Sequence, residues 1–194
     1  MDFNMIIQFY KASDQYGCFS NFYPAPIWIG AFRWFTSEHY FQSKKFLNGN
    51  DVQDILNEPS PMKAALIGRD RNRPIKNDWD SIKLKVMYKA VWSKILQHRT
   101  IYNELMSTKD AELIEHTTND NFWADGGDGS GLNMLGKILM NIRTKINFVN
   151  NQFETDDFID KMKTDIYFPL EIAYPNVDGM FWNMGIGETV SLEY

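Results

Sequence analysis

The sequence predicts an α+β fold: a compact, mostly helical domain with a small β element, followed by a C-terminal extension. Three observations point there. Apolar residues recur at helical spacing in several separate segments. One short stretch, "PIWIGAFRWF", alternates around a glycine as a hairpin does. Past residue 147 both the charge balance and the texture of the chain change, so a domain over residues 1–148 and an extension over 149–194 are expected.

The elements follow in chain order. The hairpin centres on Gly30, with Pro26 at its edge. Thr36 is placed to cap a helix over about 37–47. "SPMKAALIG" offers Ser60 as cap, Pro61 at the first helical position and Gly68 as a stop. A long helix starts at Asn77 or Asp78, carries Ile82, Val86 and Ala90, and ends near His98. Shorter helices are expected over 99–106 and 110–115. A loop rich in Asp and Gly then precedes a last helix over about 132–146. Beyond it the sequence suggests an amphipathic turn region over 155–163 and strand-like "IYFPLEIAY" and "ETVSLEY".

Composition narrows the function classes. With 194 residues, 44% hydrophobic and 15% aromatic, the chain can build a core. Its one cysteine, Cys18, excludes a disulfide framework and a cysteine-built zinc site. Neither a secretory signal nor a membrane-spanning run is apparent, so a cytoplasmic protein without membrane association is expected. The net charge of −5 is uneven. Residues 69–99 hold nine Lys/Arg against three Asp/Glu, and residues 151–194 hold two against nine. The basic block faces either an anionic ligand or simply water. The acidic end argues against broad, non-specific nucleic-acid binding.

Three segments are candidates for chemistry. In "TSEHYFQSKKFL" (residues 36–47), Glu38, Gln42 and Lys45 stand four and seven apart, on one side of a helix, among Tyr40, Phe41 and Phe46. The stripe is either a solvated face or one wall of a site. Glu38 lies in the first helical turn, where the dipole favours its ionised form. In "NDNFWADGGDGSGLN", Asn119, Asp120, Trp123, Asp125 and Asp128 crowd a glycine-rich junction of the kind that can offer backbone N–H groups to phosphate. The same residues also suit an ordinary turn. In "GRDRNRPIKNDW", Arg69, Arg71 and Arg73 precede Trp79, which offers phosphate contacts and a stacking surface or else a basic loop over a buried indole. His39, His98 and His116 lack metal-ligand spacing and are expected to be structural.

Taken together and in order, these segments resemble the YbiA-like, or NADAR, family. The likeness runs from Phe9 to Arg143 through "FSNFYPAPI", "TSEHYFQSKKF", "SPMKAALIGRDR", "NDWDSIKLKVMYKA" and "EHTTNDNFWADGGDGSGLNMLGKILMNIR". The extension has no counterpart in it.

The resemblance implies cleavage of an N-glycosidic bond to ribose, in riboflavin-pathway intermediates or in ADP-ribose attached to guanine. The expected partners are therefore a ribosyl phosphate or ADP-ribosyl substrate, including ADP-ribosylated DNA or RNA, with no cofactor and no metal. It assigns catalysis to Glu38, Lys45 and Asp125. It assigns substrate binding to Asn21, Gln42, Arg69, Trp79, Asn119, Asp120, Trp123 and Asn133. Ala124 departs from the glycine expected between Trp123 and Asp125, which would strain the loop if the position needs a positive φ. An inactive binder of ADP-ribose or related nucleotides is the alternative from another class.

Overall fold

The computed structural model describes residues 5–150. The expected elements over 155–163 and beyond lie outside them. The fold is α+β, with six helices and two two-stranded sheets among the described residues.

Strand β1 (Ile6–Phe9) opens the chain and a short 3-10 turn (Gly17–Phe19) follows. The expected hairpin is present as β2 (Ile27–Ile29) and β3 (Phe32–Trp34). They pair antiparallel across a two-residue turn in which Gly30 takes φ 63°. Helix α1 (Ser37–Ser43) is capped by Thr36, whose hydroxyl accepts from the His39 N–H. Helix α2 (Gly49–Asn57) was not anticipated, although Asn48 caps it and Val52, Ile55 and Leu56 repeat at helical spacing. Helix α3 (Pro61–Arg69) starts on Ser60 and Pro61 as read from the sequence. Helices α4 (Trp79–Gln97) and α5 (Arg99–Ser107) also fall where expected. Strand β4 (Glu112–Glu115) and helix α6 (Met134–Asn150) complete the described chain.

Four expectations need correction. Residues 110–115 are not helical: β4 lies parallel to β1, with Ile6 opposite Glu112 and Phe9 opposite Glu115. The partner strand is about a hundred residues away in sequence, so local propensity toward helix is overruled by pairing. Gly68 does not end α3, which continues through it to Arg69. Helix α1 ends at Ser43 rather than near Leu47. There Phe46 enters the core and pairs with Ile75, while the Lys45 carbonyl accepts from the Lys76 N–H at 2.8 Å. The last helix begins at Met134, two residues later than expected, and runs to Asn150 rather than ending near 146.

Helix α1 packs against α2, α3 and α4, and is buried over all seven residues, polar ones included. One side of it belongs to a cluster of Ile27, Trp34, Tyr40, Phe46, Ile55, Ala64 and Ala90. Burying Tyr40, Phe41 and Phe46 anchors the segment, at roughly 1.5–3 kcal/mol for each large apolar side chain. Glu38 and Gln42, the part of the polar stripe on this short helix, are therefore held rigidly. That removes the solvated-face reading.

Candidate active site

The Glu38 carboxyl is 5% exposed, and its Oε1 accepts from Gln42 Nε2 at 2.6 Å. Burial raises its pKa, opposed by the Gln42 bond and by the charges of Lys45 and Arg69. The helix-turn expectation of a favoured ionised form is thus reversed, because burial outweighs the neighbours that favour the carboxylate. Glu38 is suited to hold and return a proton. Its own N–H donates to the Asn21 carbonyl at 3.1 Å, tying α1 to the turn before it.

Two neighbouring amides are incompletely used. Gln42 Oε1 and Asn21 Oδ1 are buried and have no hydrogen-bond partner among the described residues. Asn21 Nδ2 meets only the Met87 sulfur, at 3.1 Å. A buried, unsatisfied acceptor is costly, and a ligand N–H or O–H is the natural remedy.

Lys45 lies just beyond α1, so it does not share a helix face with Glu38 as expected. It still comes within electrostatic reach of Glu38. Its Nζ donates to the Gly68 carbonyl at 3.0 Å and lies 5.7 and 5.8 Å from the ring centres of Phe41 and Trp79. Burial lowers its pKa, Glu38 opposes this, and Arg69 and Lys83 add to it. A lysine so placed has more free amine at neutral pH than an exposed one.

The walls are aromatic. Phe41 packs on Trp79 at 5.0 Å and edge-on to Trp123 at 5.3 Å between ring centres. Trp79 is buried, Trp123 half-buried. Arg69, exposed at the end of α3, acts on both Glu38 and Lys45. Arg73, read with it as a phosphate contact, is instead committed to Asp51 and Asp54 at 2.6 and 2.7 Å.

The glycine-rich loop does not offer the backbone donors expected of it. The N–H groups of Gly131, Leu132, Asn133, Met134 and Leu135 donate to the carbonyls of Asp125, Asn121, Ala124, Phe122 and Trp123 respectively. The start of α6 is stitched to its own loop by these bonds. Asp120 Oδ1 accepts from the N–H groups of Phe122 and Trp123, at 2.8 and 2.7 Å, and so positions the indole. Asn119 donates to the Tyr10 hydroxyl at 3.0 Å.

Asp125 is buried and fully engaged. Its Oδ2 pairs with His116 Nδ1 at 2.8 Å, and its Oδ1 accepts from the N–H groups of Thr117 and Gly127. Burial would raise its pKa, but those bonds together outweigh it and hold the carboxyl below its ordinary value. His116, read from the sequence as merely structural, belongs to this pair. Ala124 is fully buried and is not among the positive-φ residues, so the departure from glycine brings no strain. Besides the loop glycines, the left-handed residue here is Asn133, at φ 49°. Its amide bridges the Leu113 carbonyl and the Glu115 N–H, so it clamps β4 rather than facing a ligand.

Sequence reasoning missed two ionisable groups. Glu115 ends β4 among the charges of Asp120, Glu38 and Asp125. Lys94, fully buried, donates to the Phe19 and Ser20 carbonyls at 3.2 and 3.0 Å beneath Asn21, and burial pulls its pKa down to about 8. The alternation of "ELIE" around buried Leu113 was the available signal for Glu115. Nothing local marks Lys94. Among the described residues no three His, Cys, Asp or Glu side chains are grouped to hold a metal ion. No described helix is long and apolar enough to cross a membrane.

The fold and site define a class: an α+β domain that sets a buried glutamate and a partly buried lysine beside an aromatic wall. Residues 8–147 match the NADAR domain, and the chain belongs to that family. N-glycosidase YbiA of Escherichia coli (strain K12) is 48% identical over 141 residues, covering 73% of this chain and 88% of that protein. The NMR structure of E. coli YbiA matches at TM-score 0.73 and 45% identity, covering 77% of this chain and 89% of that one. N-glycosidase Npun_R5314 of Nostoc punctiforme is 42% identical, covering 73% of this chain and 93% of its own length. The chloroplastic riboflavin biosynthesis protein PYRR of Zea mays is 40% identical over 73% of this chain, a match spanning 25% of that larger protein.

Proposed function

We propose that the protein is an N-glycoside hydrolase that cleaves the ribosyl C–N bond of phosphorylated ribosyl compounds. The observation that carries this is the buried Glu38–Gln42 pair, with Lys45 and Arg69 in electrostatic reach and Phe41, Trp79 and Trp123 alongside. Breaking a ribosyl C–N bond builds positive charge on the sugar and negative charge on the departing nitrogen. A carboxyl group held in a dry, fixed position can stabilise the first and move the protons the second requires. Where the nitrogen is exocyclic, the opened sugar is an imine that the Lys45 amine can intercept. The indoles suit a planar base, and Arg69 suits a phosphate at the rim.

Two substrate classes fit. Removal of ADP-ribose from guanine in nucleic acid agrees with the basic residues around Arg69. A riboflavin-pathway ribosylamine phosphate agrees with the name of the maize relative. The unstrained Ala124 takes away the reason to read the site as an inactive binder. Incubation with ADP-ribosylated guanine DNA and, separately, with the riboflavin-pathway ribosyl intermediates, reading released base, decides between them. Release from neither substrate overturns the proposal.

A further inference from the structure

Glu115 is a half-buried acid that the reaction as described above leaves unused. On β4 the residues alternate, so Glu115 projects to the same side as Leu113, which is fully buried. Opposite it on β1 stands Phe9, also buried. The side chain therefore stands on the Leu113 side, half-buried, at the end of the strand where the chain turns toward the Asp125 loop. Its backbone is fixed at both polar atoms. The N–H donates to Asn133 Oδ1 at 3.0 Å, and the carbonyl accepts from the Asp125 N–H at 3.0 Å. The side chain, by contrast, has no hydrogen-bond partner among the described residues, although it interacts electrostatically with Glu38, Asp120, Asp125 and Lys94. A strand end this tightly fixed, carrying a half-buried carboxyl that no protein group hydrogen-bonds and that lies within electrostatic reach of Glu38, is suited to meet a ligand.

Resting on the proposed N-glycosidase reading, we infer that Glu115 is the general acid of the site, donating its proton to the base nitrogen as the C–N bond breaks. The electron pair of that bond passes to the nitrogen, which takes the Glu115 proton, and Glu115 becomes a carboxylate. The sugar carbon is then attacked by water or by the Lys45 amine, whose released proton goes to Glu38. In the lysine route, water later hydrolyses the adduct and frees the amine. Proton exchange with solvent returns Glu115 to its acid form and Glu38 to its base form, and the net reaction consumes one water. Two carboxyl groups with separate tasks are the usual arrangement for glycoside cleavage.

The electrostatics agree. Burial, then the charges of Asp120 and Glu38, push the Glu115 carboxyl up to about 8, with Lys94 opposing and Asp125 assisting. At neutral pH it carries the proton that a general acid must supply. His116, the next residue, is turned to Asp125 instead.

The test uses the full chain with both substrates named above, assayed for free base between pH 5 and 10. Glu115→Gln should lower turnover by about 100-fold or more, leave KM within a few-fold, and abolish the alkaline fall in rate expected of the wild type. Wild-type turnover, or an unchanged alkaline limb, overturns the inference while leaving the N-glycosidase reading intact. If neither substrate is cleaved by the wild type, that reading fails instead. A measurement independent of activity covers this outcome: carbon-13 NMR of labelled glutamate carboxyls should show one group titrating near pH 8 that Glu115→Gln removes. Should that variant not fold, Glu115→Asp serves in its place and should shift the same resonance. A wild-type spectrum in which every glutamate titrates below pH 6 overturns the inference on its own.

Discussion

The Gln42 amide occupies the space that a side chain at Gly68 would need, since a Cβ built there would overlap Gln42 Oε1. The Gly68 carbonyl meanwhile holds Lys45 Nζ at 3.0 Å. One bare position in α3 thus seats the group that orients Glu38 and the lysine beside it. Gly68→Ala should displace Gln42, break its bond to Glu38 and lower kcat. Overpacking at a buried helix contact should also cost about 1–3 kcal/mol in denaturant unfolding. A folded alanine variant with unaltered kcat would separate Gln42 from catalysis.

Glu38→Gln should lower kcat by about two orders of magnitude or more with little change in KM, because shape is kept and the proton-accepting carboxyl is lost. The same variant should be more stable than the wild type at neutral pH. The Glu38 pKa is raised by burial, so the folded state keeps a proton that the unfolded chain releases at its ordinary value. Wild-type stability therefore falls as pH rises through that interval, and glutamine abolishes the fall. Denaturation curves of the two proteins should converge below about pH 4 and diverge above it.

Borohydride added during turnover should trap a sugar adduct on Lys45, identified by peptide mass. Lys45→Ala should abolish trapping. Lys45→Arg should do so as well, because guanidinium retains the charge and lacks a usable amine. Normal turnover in Lys45→Arg would leave this residue as a positioning charge.

Arg69 and Arg73 should separate cleanly. Arg69→Ala should raise KM for a phosphorylated substrate by about tenfold, and much less for its dephosphorylated form. Arg73→Ala should leave both KM values unchanged and lower stability by about 1 kcal/mol or less, as expected for partly exposed pairs with Asp51 and Asp54.

Most helices whose signals are local were legible in the sequence, although α2 behind its Asn48 cap was not read. Ser60 with Pro61 marked α3, and the apolar repeat from Ile82 to Ala90 marked α4. What depended on distant partners was not. Residues 110–115 look helical until β1 supplies the second strand. Lys45 stands in register with Glu38 until Phe46 is drawn into the core and the helix stops. Gly68 looks like a stop until Gln42 needs its space. Of the candidate site, Glu38 and Trp79 were singled out from their own segments and given roles by the family likeness, while the burial that shifts Glu38 was not visible. His116 and Glu115 matter through contacts made across the fold, which no spacing rule reports.

The pairing of β1 with β4 sets when the active centre can come into being. Ile6 meets Glu112 and Phe9 meets Glu115, so the β-pairing must close across nearly the whole domain. Pairings of such long sequence separation form slowly, because chain entropy is lost before the contacts repay it. During synthesis the hairpin and the first helices have all their sequence in hand early. Glu115, His116 and Asp125 must wait until β4 has emerged and found the amino-terminal strand. The half of the centre carrying Glu38 and Lys45 can therefore assemble first, and an incomplete chain would hold those groups with no second acid opposite them.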